Sequence, residues 1–225
     1  MSLPAPRQTV APGCLPRHRH AEGYVAVVLA GAYEEAGDAG RRRLRAGDVV
    51  AHSAFEAHLN RTPGAGAVVL NLPLPGVELN GFGRADDIDS LARLAARDPV
   101  EAAAALVEAF HPVTAATIDW PDMLAAALIR DAVPRLGDWA ASMGLSAEHV
   151  SRGFARVFGV TPQRYRLEAR ARAALADLAD LAGAASLAAV AAQHGFADQA
   201  HMTRSVRAVS GQPPGAWRRS IPFKT

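Results

Sequence analysis

The stretch Gly144-Leu145-Ser146-Ala147-Glu148-His149-Val150-Ser151-Arg152-Gly153-Phe154-Ala155-Arg156-Val157-Phe158-Gly159-Val160-Thr161-Pro162 decides how the last ninety or so residues of this 225-residue chain are built. Gly144 reads as a turn and Ser146 as a helix N-cap. Val150, Phe154 and Val157 follow at i, i+4 and i+7, one face of a helix, until Gly159 to Pro162 break it. Just upstream, Leu136, Trp139, Ala140 and Met143 share the face of a shorter helix. Fifty-one residues after Gly144 the plan returns. Leu187, Val190 and Ala191 form a short face, Gly195-Phe196-Ala197 turns, and Met202, Val206 and Val209 repeat the stripe before Gly211-Gln212-Pro213-Pro214 breaks it. Tyr165 and Trp217 each stand three residues after the closing Pro162 and Pro214. Between the copies, Leu167, Ala171, Ala174, Leu175, Leu178 and Leu181 predict one long amphipathic helix.

A short helix, a glycine turn and a second helix with a polar outer face form the helix-turn-helix plan, whose second helix suits the DNA major groove. One such unit is a common corner; two, joined by a helix that sets their separation, are far more specific. Charge points the same way. Residues 135–225 hold 11 Arg and one Lys against 6 acids, whereas residues 1–134 hold 12 Arg against 16 acids. The basic half suits a polyanionic partner and the acidic half a different one. Arg152 and Arg204 occupy matching places in the two second helices. Each can read guanine, neutralise a phosphate, or pair within the chain with a carboxylate such as Asp138 or Asp198.

The residues also resemble a known family. Gly144-Leu145-Ser146, Ser151-Arg152-Gly153-Phe154, Phe158-Gly159-Val160-Thr161-Pro162, Tyr165, Arg170 and Ala174 look like the first half of an AraC/XylS-type DNA-binding domain. Gly195-Phe196-Ala197-Asp198-Gln199, His201, Thr203-Arg204, Arg207, Gly211, Pro214 and Trp217-Arg218 look like its second half. The resemblance implies a transcription regulator whose two recognition helices enter successive major-groove segments. Carried over by position, the groove-facing residues are Glu148, Ser151 and Arg152, then Gln199, Ala200, His201, Thr203 and Arg204. Met202, Val206 and Ser210 stand where the family usually has phenylalanine, so the second unit is expected to pack less tightly.

The first eighty residues read differently. Tyr24 to Leu29, Asp48 to Ala51 and Ala67 to Leu70 are short, partly β-branched apolar runs separated by glycine-bearing turns, as in a small β-barrel or sandwich. Leu72-Pro73-Leu74-Pro75-Gly76 closes that region. Beyond Arg84 the pattern turns helical: Asp98-Pro99-Val100-Glu101 starts a helix with a capping box, and Val100, Ala103, Val107 and Phe110 follow at helical spacing. A further helix runs from Pro121 through Leu124, Leu128 and Ile129 to Pro134. Its stripes serve either a core or a dimer contact. The expected architecture is α+β: a β-barrel domain over 1–83, a helical connector over 84–133 and an all-α domain with two helix-turn-helix units over 134–225.

His18-Arg19-His20 on an extended segment puts two imidazoles on one face, where a third histidine from a neighbouring strand completes a metal site. This region resembles a cupin. His18-x-His20 with Gly31 fits the first cupin motif, and Gly47-Asp48 with His58 fits the second. The resemblance implies a ligand set of His18, His20 and His58 for one divalent transition metal, zinc, nickel, iron or copper. Tyr24 occupies the place of the usual ligand glutamate, Glu22 is two residues early, and Ser53 and Phe55 replace the proline and glycine of the second turn. His52, by strand parity, is expected to face the other way.

The leading expectation is therefore a DNA-binding transcriptional regulator with a metal- or small-molecule-responsive cupin-like domain, and not an enzyme. The competing readings are a metal-dependent cupin enzyme with an appended DNA-binding domain, and a ligand-free dimerisation barrel. Expected partners are double-stranded DNA, a small-molecule effector, RNA polymerase and a second copy of the chain. No run approaches the roughly 20 apolar residues of a membrane span. A lone Cys14 leaves no intrachain disulfide, and together with the absence of a recognisable secretory signal this makes a cytoplasmic protein the expectation.

Overall fold

The structure, a computed structural model, describes residues 4–74, 79, 81–113, 119–130, 135–180 and 186–220, with backbone alone at 179–180 and 218–220. Pro75-Gly76, Pro134 and Leu181, each given a role above, lie outside the described residues. The chain divides into two compact units, one built on residues 1–123 and the other on 124–155 and 160–225.

The first unit is built from antiparallel strands β1 (Arg7–Val10), β2 (Gly13–Arg19), β3 (Tyr24–Gly37), β4 (Gly40–Arg45), β5 (Asp48–His52), β6 (Ala57–Thr62), β7 (Ala67–Pro73), β8 (Phe82–Ala85) and β9 (Phe110–Pro112). One run of pairing follows the order β1-β7-β3-β5-β8-β9, and β2, β6, β3 and β4 form the other. β3 belongs to both. Its first half pairs with β5 and β7, and its second half with β4 and β6. The changeover sits at a bulge between Val28 and Ala30, followed by Gly31 at φ +74°. A Cβ on Gly31 would stand 2.1 Å from the Gly66 carbonyl oxygen, so only glycine fits the crossing.

This long strand explains the burial pattern. Val25 and Val27 point with Val49, Ala51, Leu70 and Leu72 toward helices α1 (Ile88–Ala95) and α2 (Pro99–Ala109), which supply Leu91, Ala102, Ala103 and Leu106. Tyr24, Ala26 and Val28 point the opposite way, with Val50, Val69, Tyr33 and Leu44. Both faces of the sheet are covered, so β5 is buried at every position.

Segment 84–133 is not a purely helical connector. β8 pairs with β5, and β9 pairs with β8, so strands enter the segment at both places. Asp98 caps α2 as read, its carboxylate accepting the N–H groups of Val100 and Glu101. The capping box fails, because the Asp98 N–H donates instead to the Leu94 carbonyl. The buried face of α2 is Ala102, Ala103 and Leu106, while Val100 is 65% exposed and Phe110 has left the helix for β9. Of the Val100–Phe110 stripe, Ala103 is buried and Val107 and Phe110 pack half-buried against the same core, so only Val100 falls off the face, which Ala102 and Leu106 complete. Helix α3 (Trp120–Ile129) buries Leu124 and Leu128 and leaves Ile129 exposed.

The second unit follows its sequence plan closely. Helices α4 (Leu136–Ser142) and α5 (Ala147–Phe158) make the first pair, α6 (Pro162–Asp180) the long connecting helix, and α7 (Leu187–Gln193) and α8 (Gln199–Ser210) the second pair, with α9 (Pro214–Ser220) behind them. Val150, Phe154 and Phe158 are buried in α5, so Phe158 rather than Val157 completes that stripe; in α8 Met202, Val206 and Val209 are buried as read. α6 buries Ala171, Ala174, Leu175 and Leu178, with Leu167 half-buried.

Candidate functional site

The two helix pairs repeat one another at the level of hydrogen bonds. Gly144 (φ +68°) and Gly195 (φ +66°) both turn through the left-handed region that favours glycine. In the first turn Leu145 N–H reaches the Ala140 carbonyl and Gly144 N–H the Ala141 carbonyl; in the second, Phe196 N–H reaches Ala191 and Gly195 N–H reaches Ala192. Each is a Schellman ending, which satisfies the last carbonyls of the short helix and aims the chain into the next. The following helices also start alike. The Ser146 hydroxyl accepts the His149 N–H at 3.1 Å, and the Asp198 carboxylate accepts the His201 N–H at 2.6 Å. The connecting helix holds the second pair in place. Asp177 takes hydrogen bonds from Gln193 (2.7 Å) and His194 (2.8 Å), and Arg170 donates to the Gly195 carbonyl (2.8 Å).

This scaffold sets the polar faces of α5 and α8 outward. Glu148 and Arg152 are exposed and Ser151 half-buried on α5; Gln199, Ala200 and Arg204 are exposed on α8, with His201 and Thr203 half-buried. Two of these residues have local work. The His201 ring packs edge-on against Phe196 at 5.4 Å, and the Thr203 hydroxyl donates to the Gln199 carbonyl at 2.8 Å. The two arginines differ. Arg152 pairs with Glu148, one turn back on its own helix, at 2.6 Å, so neither Asp138 nor Asp198 is its partner. Arg204 has no side-chain partner among the described residues. An exposed guanidinium beside hydroxyl and amide groups is the donor set that suits phosphate oxygens and base edges.

The first unit encloses a cavity of about 440 Å³ lined by His18, His20, Tyr24, Glu35, His52, His58, Asn60 and Asn71 among others. His18 lies directly across from His58 in the β2–β6 register, which brings their rings to 4.4 Å. His20 follows β2, with its ring 5.2 Å from His18 and 5.9 Å from His58. Its carbonyl accepts the Phe55 N–H at 2.8 Å, and Phe55 sits at φ +61°. The turn therefore demands the left-handed backbone that a glycine would adopt without strain, as the departure noted above implies. Donor atoms of His18, His20 and His58 lie within 4.8 Å of one another, so the structure brings the three together. His18 Nδ1 lies 2.9 Å from the Pro16 carbonyl, to which it donates, leaving Nε2 as the free lone pair. Burial, outweighing the Pro16 hydrogen bond, lowers the His18 pKa, with help from His20 and His52. Burial and the neighbouring His52, His18 and His20 hold His58 well below the usual histidine value. Neutral imidazoles are the form a metal needs.

Glu22 is exposed and outside the cavity lining. His52 corrects the parity reading: it points into the cavity, stacked on Tyr24 at 4.6 Å and 4.5 Å from the His58 ring. The β5 register explains this, because Tyr24 and His52 are direct partners and both follow the inward parity of Val50. Two residues that the sequence did not single out flank His52: Glu35, which lines the cavity, and Glu56, which stands behind the ring. Glu35 Oε2 stands 3.6 Å from His52 Nε2, and Glu56 Oε1 stands 3.8 Å from His52 Nδ1. Burial disfavours the His52 cation, but the two glutamates outweigh it and raise its pKa. Burial raises Glu35 in turn, opposed by His52. The period-two spacing from Tyr33 to Glu35 carried a signal, though nothing marked β3 as running that far.

Among known families, residues 139–220 match the one described as "Helix-turn-helix domain". No curated protein matches the chain in sequence. Among solved structures, it is similar to apo ToxT from Vibrio cholerae at 9% identity, covering 98% of this chain and 94% of that one, with a TM-score of 0.43. It is also similar to KdgF from Halomonas sp. at 21% identity, over 29% of this chain and 61% of that one (TM-score 0.27). The DMSP lyase DddQ from Ruegeria pomeroyi is similar at 31% identity over 27% of this chain and 32% of that one (TM-score 0.26). Among the described residues no helix is long and apolar enough to cross a membrane.

Proposed function

We propose, from the premise that residues 139–220 are an AraC/XylS-type helix-turn-helix domain and the chain a DNA-binding transcriptional regulator, that the β unit is its sensor. The observation that carries the DNA-binding half is the duplicated turn, in which matching Schellman endings and N-caps present α5 and α8 with their polar faces exposed. On this reading Glu148, Ser151 and Arg152 face one major-groove segment, and Gln199, Ala200, His201, Thr203 and Arg204 face the next. Phosphate neutralisation by the basic half supplies most of the affinity, and the base-edge contacts supply the preference.

The sensor half rests on the cavity of about 440 Å³, within the size range of small-molecule sites. It takes a small effector, a divalent transition metal on His18, His20 and His58, or both together, since three imidazoles leave coordination positions open. A ligand that binds one state of the regulator better shifts its population, biasing dimerisation or the presentation of the helices, with RNA polymerase as the downstream partner.

Genome-wide mapping of DNA bound by the full chain tests this reading. Discrete sites near promoters, sharing a motif that Arg204→Ala relaxes, are the expected result. Uniform or absent occupancy contradicts it.

A further inference from the structure

Beneath the three histidines at the cavity mouth lies a second donor set. Donor atoms of Glu35, His52 and His58 fall within 4.8 Å of one another, and the three residues are 6%, 2% and 2% exposed. They come from three different strands or their ends: Glu35 from the far half of β3, His52 from the end of β5 and His58 from β6. Neither His52 ring nitrogen, nor Nδ1 of His58, has a hydrogen-bond partner among the described residues. Buried polar atoms left in that state are costly unless something binds them. Glu35 and Glu56 both face His52, and the half-buried Arg42 guanidinium also acts on both carboxylates. A divalent cation would use the lone pairs of His52 and His58 that no hydrogen bond occupies, with Glu35 as its anionic ligand.

We propose that Glu35, His52 and His58 form a second, deeper divalent transition-metal site that competes with the outer set of His18, His20 and His58 for a single ion. The competition follows from His58, which belongs to both sets: a neutral imidazole has one lone pair and ligates one ion at a time. The proposal rests on the sensor reading only in placing its ligand in the same cavity. The two sets differ in preference. Two imidazoles and a carboxylate suit iron(II), cobalt(II) or manganese(II), whereas three imidazoles lean toward zinc, copper and nickel. Glu56 is a positioning residue: one carboxylate oxygen accepts the Ser53 N–H at 2.9 Å while the other faces His52. The arrangement gives one cavity two coordination states, and different metals would populate them differently.

Cobalt(II) titration of the full chain, read by bound equivalents and by the visible cobalt absorption bands, separates the possibilities. His18→Ala or His20→Ala, either of which leaves the outer set with two donors, should still bind one equivalent, now with the spectrum of the deep set. Adding Glu35→Gln or His52→Gln to either variant should weaken cobalt binding at least about tenfold, the scale known for loss of a single supporting partner around a metal. Loss of cobalt from the His18→Ala and His20→Ala proteins overturns the deep site and leaves the outer one standing. Two equivalents bound to the wild type overturn the sharing of His58. A wild type that binds no cobalt, nickel or zinc removes both sets at once.

Discussion

The two helix-turn-helix copies share their turn geometry but differ in what lies behind and in front of the second helix. Behind α5, Phe154 and Phe158 are fully buried and the Phe154 ring meets Tyr165 edge-on at 5.2 Å. Behind α8 the places of Phe154 and Phe158 hold Val206 and Ser210, and Ser210 turns its hydroxyl back to the Val206 carbonyl at 3.0 Å. In front, Arg152 is tied to Glu148 while Arg204 is unpaired among the described residues. Backbone caps fix where a recognition helix points, and they are duplicated almost bond for bond. Core rings and surface ion pairs fix how firmly it is held and how readily it binds, and these have diverged. The first copy is the better-anchored helix and the second carries the readier arginine.

The largest expected effect lies in the cores. Phe154→Ala should destabilise the helical unit by about 3–5 kcal/mol, because a fully buried ring leaves a cavity. Met202→Ala should cost less, toward the lower end of about 2–5 kcal/mol, since a softer surround relaxes further. Denaturant unfolding of the full chain measures both. Equal losses would erase the asymmetry.

At the DNA surface, Arg204→Ala should weaken binding by about 1–3 kcal/mol and relax preference at one base position. Arg152→Ala should cost less, because part of the wild-type contact is spent on releasing Glu148. Binding-site selection on each variant decides between base reading and phosphate contact; a larger loss at Arg152 would reverse the comparison. The smallest effect concerns Glu148→Ala. An exposed i,i+4 pair stabilises a helix by only about 0.3–0.5 kcal/mol. Its removal should barely move the unfolding midpoint while strengthening DNA binding, since a carboxylate leaves the phosphate face. Weakened binding would instead identify Glu148 as a base contact.

The same contrast explains what the sequence could reveal. The helical unit is governed by local spacing: Gly144, Ser146, Val150 and Phe154 act within one or two turns of each other, so their reading transfers directly to structure. The β unit is governed by pairing between distant strands. Nothing near Gly31 announces that β3 bends there into new partners, so Tyr33 and Glu35 arrive in the cavity unforeseen. His52 was misplaced because β5 is buried on both faces, which removes the alternation that parity arguments need. His18, His20 and His58 were legible because glycine and histidine spacing carried them. Glu35, reaching the cavity only through register, was not. Ala102 of α2 shows the same limit, since an alanine is apolar on either side of a helix.

The central claim, a DNA-binding chain that uses both copies, is tested most directly by fluorescence anisotropy of the full protein on a duplex selected from randomised DNA, titrated with salt. The account predicts a steep linear fall of log affinity with log salt, as phosphate contacts release counterions. It also predicts that Arg152→Ala and Arg204→Ala each weaken binding to that duplex. Binding that is absent at low salt, or indifferent to salt and to both arginines, would contradict it.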